Sequence, residues 1–147
     1  YISPTLNGEL YFNKPPLYNW ILILFMKLFK STGSFALRFP AVAAFFVMGW
    51  IVYYFSKPHL GKKNAWIAAI VTVSNGRILI YESMHSMMDS TFATVMLLMF
   101  FLIFKYEQQK EYAKLFISCY LLAATGFLLK GFPSVVFVAL TLPAWLV

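Results

Sequence analysis

Residues 39–56 read FPAVAAFFVMGWIVYYFS, eighteen consecutive residues without a charged side chain. The basic segment KPHLGKK follows at once, at positions 57–63. A helix that crosses a bilayer needs about 20 apolar residues, and roughly 17 are enough. Lysines directly after such a run are typical of the point where a spanning helix leaves the hydrocarbon. This segment therefore predicts a membrane-spanning helix.

Four further apolar runs repeat this pattern and predict a bundle of five spanning helices. With 39–56, the predicted spans are 64–81, 90–104, 115–129 and 131–147. Several of them are short, so they need flanking residues, snorkelling lysines or local bilayer thinning to cross. The second run is the least regular because it contains Arg77. None of the runs alternates polar and apolar residues as outer-membrane β-strands do. The predicted fold class is an all-α membrane protein.

The composition of the whole chain supports the same class. Of 147 residues, 61% are apolar and only 12% are charged, whereas soluble domains average about 45–50% apolar and about 25% charged. The net charge of +7 does not indicate nucleic acid, because the basic residues separate apolar runs instead of forming a patch. Membrane lipids, through anionic headgroups or a lipid phosphate, are the expected partners. The single cysteine, Cys119, offers no intrachain disulfide.

The two ends of the chain and its lysines suggest how it is placed. It opens in a polar stretch, YISPTLNGEL, and stops inside an apolar run, so we expect it to be part of a longer protein. Segments 57–63 and 105–114 carry three lysines each, and the positive-inside rule puts them in the cytoplasm. Residues 1–38 then form an outer loop. The four basic residues of that loop act against this orientation.

Residues 17–30, LYNWILILFMKLFK, predict a helix of another kind. Asn19, Lys27 and Lys30 fall within one arc of roughly 80° when the segment is drawn as a helix, and the remaining surface is apolar. The segment is also too short to span a bilayer. An interfacial helix on the outer side of the bundle fits both properties. The prolines at 15 and 16 suit its first turn.

Lys14 precedes these prolines in the segment YFNKPPLYNW. A following proline disfavours the helical conformation, so the ammonium group projects from a stiff corner at the membrane surface. One interpretation is a snorkelling interfacial lysine beside aromatic residues. The other is a fixed positive charge for a phosphate, with the Tyr11 hydroxyl as a second donor. The outer side of a membrane lacks free nucleotides, so such a phosphate is most naturally attached to a lipid.

A second polar segment, ESMHSMMDST at 82–91, is predicted on the same side. Glu82, His85 and Asp89 are spaced by three and four residues, hence on one face if the segment is helical. Ionisable residues at membrane depth are costly and usually functional. Asp89 equally suits the N-terminal cap of the span 90–104. His85 is better explained as a hydrogen-bonding partner than as a metal ligand, since no second ligand clusters with it.

A third polar segment, LLKGFPS at 128–134, ends one span and begins the next. Lys130 there is explained either by a favourable interaction with the helix dipole or by a role in a site. Arg38, in LRFP, is interpreted as an interfacial anchor. Lys14, Asp89 and Lys130 are far apart in sequence but are all predicted on one face of the membrane. We therefore expect them to line one site.

These segments also carry a family resemblance. The motif P.LNG..YFNKPPLYNW, then LRFPA, an Asp after the apolar run 64–81, and L.KG.P stand in the order and spacing of the integral-membrane glycosyltransferases of the protein O-mannosyltransferase and lipid A aminoarabinose transferase superfamily. The likeness extends from Pro4 to about Pro133. It implies a GT-C fold, of which 1–147 would be a partial transmembrane domain. It also implies a location in the bacterial inner membrane, with the active site facing outward.

For function, the resemblance implies transfer of a hexosyl or pentosyl group from a polyprenyl-phosphate donor. The acceptor would be a hydroxyl or phosphate on a glycan, lipid A or a protein. Tyr11 and Lys14 match family residues at the donor phosphate, Asp89 matches a later acidic residue, and Lys130 matches the lysine of the KG pair. Glu82 and His85 are further candidates for substrate binding.

The chain departs from the family pattern in two places. The principal catalytic carboxylate of the family lies upstream of the lysine–proline block, before residue 1. Many relatives have an arginine about five residues before the later Asp, where this sequence has Met84.

The chemistry implied by the resemblance needs no obligatory cofactor. Breaking the anomeric bond leaves negative charge on the lipid phosphate, and a fixed lysine stabilises that charge more in the transition state than in the ground state. A carboxylate would accept the proton of the acceptor. Two alternatives share the same polar outer face: a transporter or flippase for a lipid-linked substrate, and a non-catalytic membrane subunit.

Overall fold

The computed structural model of the chain describes residues 5–6, 9–10, 14–75 and 88–146. Within this part there are two short strands, Thr5–Leu6 (β1) and Glu9–Leu10 (β2), which pair antiparallel. The helices are Leu17–Leu28 (α1), Ser34–Val73 (α2), Met88–Gln108 (α3), Tyr112–Lys130 (α4) and Phe132–Leu146 (α5). Helices α2, α3 and α4 are long and apolar enough to cross a membrane, and α1 and α5 are shorter apolar helices. The predicted all-α membrane fold is confirmed.

Helix α2 is a hairpin of two arms that reverses at Gly61. The backbone of Gly61 has φ 75° and ψ 166°, a conformation that an L side chain rarely adopts. The rings of Tyr53 and Trp66 lie 4.7 Å apart, whereas thirteen residues of a straight helix would separate them by about 20 Å. The chain therefore folds back on itself, with a first arm at 34–60 and a second arm at 62–73.

The arms of α2 correspond to the first two predicted spans, 39–56 and 64–81. The first arm continues through Lys57, Pro58 and His59 up to the reversal. The connection is therefore shorter than the seven-residue segment 57–63 suggested by the charges, because polar side chains do not stop a helix where it leaves the hydrocarbon. Residues 76–81 of the second predicted span lie outside the described part of the chain.

Helices α3 and α4 form the centre of the bundle. Their buried side chains make up one apolar cluster, formed by Met96, Met99, Ile103, Leu115 and Cys119. The Thr94 hydroxyl donates to the Ala44 carbonyl at 3.2 Å and joins α3 to the first arm of α2. The buried Ser134 hydroxyl donates to the Ala123 carbonyl at 2.8 Å and joins α5 to α4.

The turn between α3 and α4 is tight because Lys110 adopts a left-handed backbone conformation, with φ 55°. The backbone N–H groups of Lys110 and Glu111 donate to the carbonyls of Glu107 and Tyr106, both at 2.9 Å. This is the hydrogen-bond pattern of a Schellman C-cap. It returns α4 antiparallel to α3.

The hairpin and this turn define the two ends of the bundle. The Gly61 reversal and the α3–α4 turn lie together at one end, here named the turn end. The other end, named the site end, holds the beginning of α3 and the end of α4. Helix α1 packs beside the beginning of α2, with the ring of Phe39 5.2 Å from that of Phe25 and 5.0 Å from that of Phe29.

Candidate functional site

A cavity of about 330 Å³ opens at the site end of the bundle. It brings together polar residues from three distant parts of the sequence: the residue that precedes the two prolines, the beginning of α3 and the end of α4. Its lining consists of Lys14, Pro15, Met88, Asp89, Lys130 and Pro133. The three charged residues that the sequence singled out thus share one cavity.

Asp89 and Lys130 form an ion pair across this cavity. The distance from Lys130 Nζ to Asp89 Oδ1 is 2.5 Å, and the two side chains are 36% and 40% exposed. At this exposure an ion pair contributes little to stability, about 1 kcal/mol or less. Its main effect is geometric, because it fixes the end of α4 against the first turn of α3.

Two local features hold the partners of this ion pair in place. Asp89 lies in the first turn of α3, where a carboxylate interacts favourably with the positive end of the helix dipole. The Lys130 ammonium lies 5.4 Å from the centre of the Phe92 ring, within the range of a cation–π contact. Phe92 therefore supports Lys130 from α3, a contact that the sequence analysis did not anticipate.

The turn after Lys130 is set by Gly131. Its φ of 78° and ψ of −134° lie in a region that favours glycine. The Gly131 N–H donates to the Phe127 carbonyl at 2.7 Å, and the Ser134 N–H donates to the Gly131 carbonyl at 3.1 Å. A Cβ added to Gly131 would lie 3.7 Å from Pro15 Cγ. The turn therefore lies beside the segment that carries Lys14.

Lys14 is exposed and lies three residues before the first residue of α1. Pro15 and Pro16 separate it from the helix, so the backbone that carries it has few alternative conformations. Within the described part of the chain, Lys14 has no ion-pair partner. Together with the paired Asp89 and Lys130, it gives the described lining of the cavity a formal charge of +1.

The remaining site predictions have different outcomes. Tyr11, Glu82 and His85 lie outside the described residues, as does Met84. Arg38 is exposed near the beginning of α2 and is not part of the cavity lining. Met88 and Pro133, which do line it, were not predicted as site residues because their apolar side chains carry no chemical group that marks a site. Among the described residues, no three His, Cys, Asp or Glu side chains group so as to hold a metal ion.

Comparison with known proteins shows the family of the chain. Residues 13–147 match the model of the dolichyl-phosphate-mannose-protein mannosyltransferase family. The chain belongs to this family. The resemblance drawn from the sequence motifs is thereby confirmed, and family membership together with the apolar helices makes the chain part of an integral membrane protein.

A more distant similarity concerns an uncharacterized protein of Aquifex aeolicus (strain VF5). The two sequences are 26% identical over 111 residues, which cover 76% of this chain and 22% of that protein. The chain thus spans about a fifth of the length of the Aquifex aeolicus protein that it matches. No solved structure matches the chain.

Proposed function

We propose that the whole protein is a glycosyltransferase that takes a sugar from a polyprenyl-phosphate donor. The acceptor is a hydroxyl or phosphate group on a glycan, lipid A or a protein, on the extracytoplasmic face of the membrane. The observation that carries this proposal is the cavity lined by Lys14, Asp89 and Lys130. Membership of a mannosyltransferase family supports sugar transfer as the reaction class.

The charges of the cavity suit a lipid-linked sugar phosphate. A donor in which one phosphate joins the sugar to the lipid carries a single negative charge, which balances the formal +1 of Lys14, Asp89 and Lys130. A lysine without a described partner is free to contact the phosphate directly. Lys130 is held beside it through Asp89, so both ammonium groups are positioned before the reaction begins.

The transfer itself breaks the bond between the anomeric carbon and the phosphate oxygen. The electron pair stays on that oxygen, so the leaving polyprenyl phosphate gains one unit of negative charge. The acceptor oxygen forms the new bond to the anomeric carbon, and its proton passes to a carboxylate. The resemblance puts the principal carboxylate before residue 1. We assign Asp89 the roles of holding Lys130 in position and providing a second carboxylate.

The two lysines act where the charge changes. Because the phosphate is more negative in the transition state than in the bound donor, Lys14 and Lys130 stabilise the transition state more strongly. Two cations at this oxygen make a divalent metal unnecessary for leaving-group stabilisation. Tyr11 remains a candidate for a second hydrogen-bond donor to the phosphate, and Glu82 and His85 remain candidates for substrate binding.

The proposed side of the membrane rests on the lysines at the turn end of the bundle, against which the four basic residues of 1–38 count. Lys57, Lys62, Lys63, Lys105, Lys110 and Lys114 all belong to segments at the turn end. The positive-inside rule assigns such an end to the cytoplasm. The cavity of Lys14 would then open outward, where lipid-linked sugars are the available activated donors.

The test is donor turnover by the purified whole protein with a panel of polyprenyl-phosphate-linked sugars. The expected result is consumption of at least one donor, with release of polyprenyl phosphate and a new glycosidic or sugar–phosphate bond on the acceptor. Movement of an intact donor across a vesicle membrane without cleavage would contradict the proposal and indicate a transporter. Binding without either outcome would indicate a non-catalytic subunit.

A further inference from the structure

A second and larger cavity, of about 820 Å³, lies at the turn end of the bundle. It is formed between the end of the first arm of α2 and the end of α3. The residues that line it are mostly aromatic or basic: Trp50, Tyr53, Tyr54, Phe55, Lys57, Pro58, His59, Phe104, Lys105, Gln108 and Gln109. The transfer reaction proposed above makes no use of it.

Among the described residues, the ionisable side chains at the cavity are predominantly basic. Lys57, His59 and Lys105 contribute basic groups, and none of the described residues that line it is acidic. The nearby Glu111 is already paired with Lys114 at 2.9 Å, outside the cavity. A negatively charged group that enters the cavity would therefore meet basic side chains without competition from a carboxylate of the lining.

Aromatic rings of the lining contact two of these basic side chains, whereas the Lys105 ammonium lies 5.7 Å from the centre of the Tyr106 ring, outside the lining. The Lys57 ammonium lies 5.9 Å from the centre of the Tyr53 ring, and the His59 ring lies 5.6 Å from that of Phe104. Cation–π contacts of this kind restrict a lysine while leaving its N–H groups available to an anion.

The position of the cavity points to a lipid. Asp89 and Lys105 are sixteen residues apart on α3, which corresponds to about 24 Å along a helix. The hydrocarbon core of a bilayer is about 30 Å thick, so the two cavities lie near opposite membrane interfaces. Trp50 and Tyr54 are 64% and 56% exposed beside the second cavity, as is typical of aromatic residues at the headgroup level.

We infer that this cavity binds the phosphate of an anionic phospholipid headgroup in the leaflet opposite the transfer site. Lys57 and Lys105 contact the phosphate, and His59 and the two glutamines contact the polar part of the headgroup. Trp50, Tyr54 and Phe55 pack against the glycerol and the beginning of the acyl chains. Phospholipid is favoured over free phosphate because an apolar groove between the two arms of α2 adjoins this cavity, with Trp50 and Tyr53 lining both.

The test compares lipid binding by the whole protein purified in a neutral detergent. Dioleoyl phosphatidylglycerol, dioleoyl phosphatidylcholine and inorganic phosphate are titrated separately, and the rise of the unfolding midpoint gives the apparent affinity. We expect phosphatidylglycerol to stabilise the protein at lower concentration than phosphatidylcholine does. The absence of any such preference in the unmodified protein would overturn the inference. A response to inorganic phosphate equal to that of phosphatidylglycerol would overturn the lipid assignment.

Two matched double variants locate the effect. Lys57→Gln with Lys105→Gln removes two charges from the cavity, whereas Lys62→Gln with Lys63→Gln removes two charges from the same end of the bundle outside it. A lysine near anionic lipid contributes about fivefold in affinity, so the first variant should bind phosphatidylglycerol about 30-fold more weakly. The second should change affinity by less than about threefold, because exposed charges are screened by salt.

Equal losses in the two double variants would mean general surface attraction and would refute a built site. If the cavity variant does not fold, Lys57→Arg with Lys105→Arg takes its place. It retains the charges and should retain the preference for phosphatidylglycerol. Loss of that preference in a folded arginine variant would also count against direct phosphate contact by this cavity, since arginine binds phosphate at least as well as lysine.

Discussion

Replacement of Lys14 by methionine removes the positive charge that has no described ion-pair partner in the site cavity. Methionine keeps an unbranched side chain of similar length, so the change mainly concerns the charge. Lys14 is exposed and forms no ion pair within the described residues, and its loss leaves no described carboxylate unpaired. We therefore expect expression and the unfolding midpoint to stay near those of the unmodified protein.

The expected effect on turnover follows from the charge that develops on the phosphate. One unit of charge at about 4 Å from an ammonium group is stabilised by about 4 kcal/mol at an effective dielectric constant of 20. Because Lys14 is exposed, water screens part of this interaction, and we take about 1 kcal/mol as the lower limit. These values correspond to a loss of about 5-fold to 1000-fold in the rate of transfer.

The assay is single-turnover release of polyprenyl phosphate from a radiolabelled donor by the whole protein. Lys27→Met is the matched control, because Lys27 is an exposed lysine on α1 that does not line the site cavity. It should retain turnover within about threefold, as expected for a screened distant charge. A Lys14→Met variant that turns over like the unmodified protein would remove Lys14 from the mechanism. An equal loss in both variants would show that the effect is not specific to the cavity.

Three further predictions concern the rest of the site and its support. Asp89→Asn should lower kcat about tenfold with little change in KM, because Lys130 loses its ion-pair partner but keeps its charge. An unchanged kcat would contradict any role of Asp89 in transfer. Complete loss of turnover would make Asp89 the principal base. Gly126→Ala would place a Cβ 2.5 Å from Met96 Cε and 2.6 Å from Ser134 Oγ, so the free energy of unfolding should fall by about 1–3 kcal/mol in denaturant titrations. An unchanged midpoint would contradict this packing. Turnover should be unaffected by EDTA, since lysines stabilise the leaving phosphate; a loss restored by Mg²⁺ would show that a metal is needed.

The helices could be predicted from the sequence because a charge in the hydrocarbon is costly, so the uncharged runs mark the spans. The reversal of the chain within α2 was harder to predict from the sequence. The backbone of Gly61 alone accomplishes it, and no propensity argument fixes how far the first arm extends. The three lysines of 57–63 were interpreted only as marking the end of a span and its orientation. Their contribution to a cavity depends on α3, which is distant in sequence.

The candidate site, like the helices, could be predicted from the sequence only in part. Lys14, Asp89 and Lys130 could be assigned to one face because Lys14 lies in the predicted outer loop and the other two lie at span ends on the same side of the membrane. Their pairing could not be assigned, because it depends on how the end of α4 packs against α3. The Asp89–Lys130 ion pair and the contact of Lys130 with Phe92 arise from that packing. Lys14 is thereby left as the cation without a described partner.

The most direct measurement is an experimental structure of the whole protein with polyprenyl phosphate bound. We predict that the phosphorus atom lies about 4 Å from Nζ of both Lys14 and Lys130, as charge-assisted hydrogen bonds to a phosphate require, with Asp89 still adjacent to Lys130. A phosphate bound elsewhere, or Lys14 and Lys130 on opposite faces of the membrane, would contradict the account.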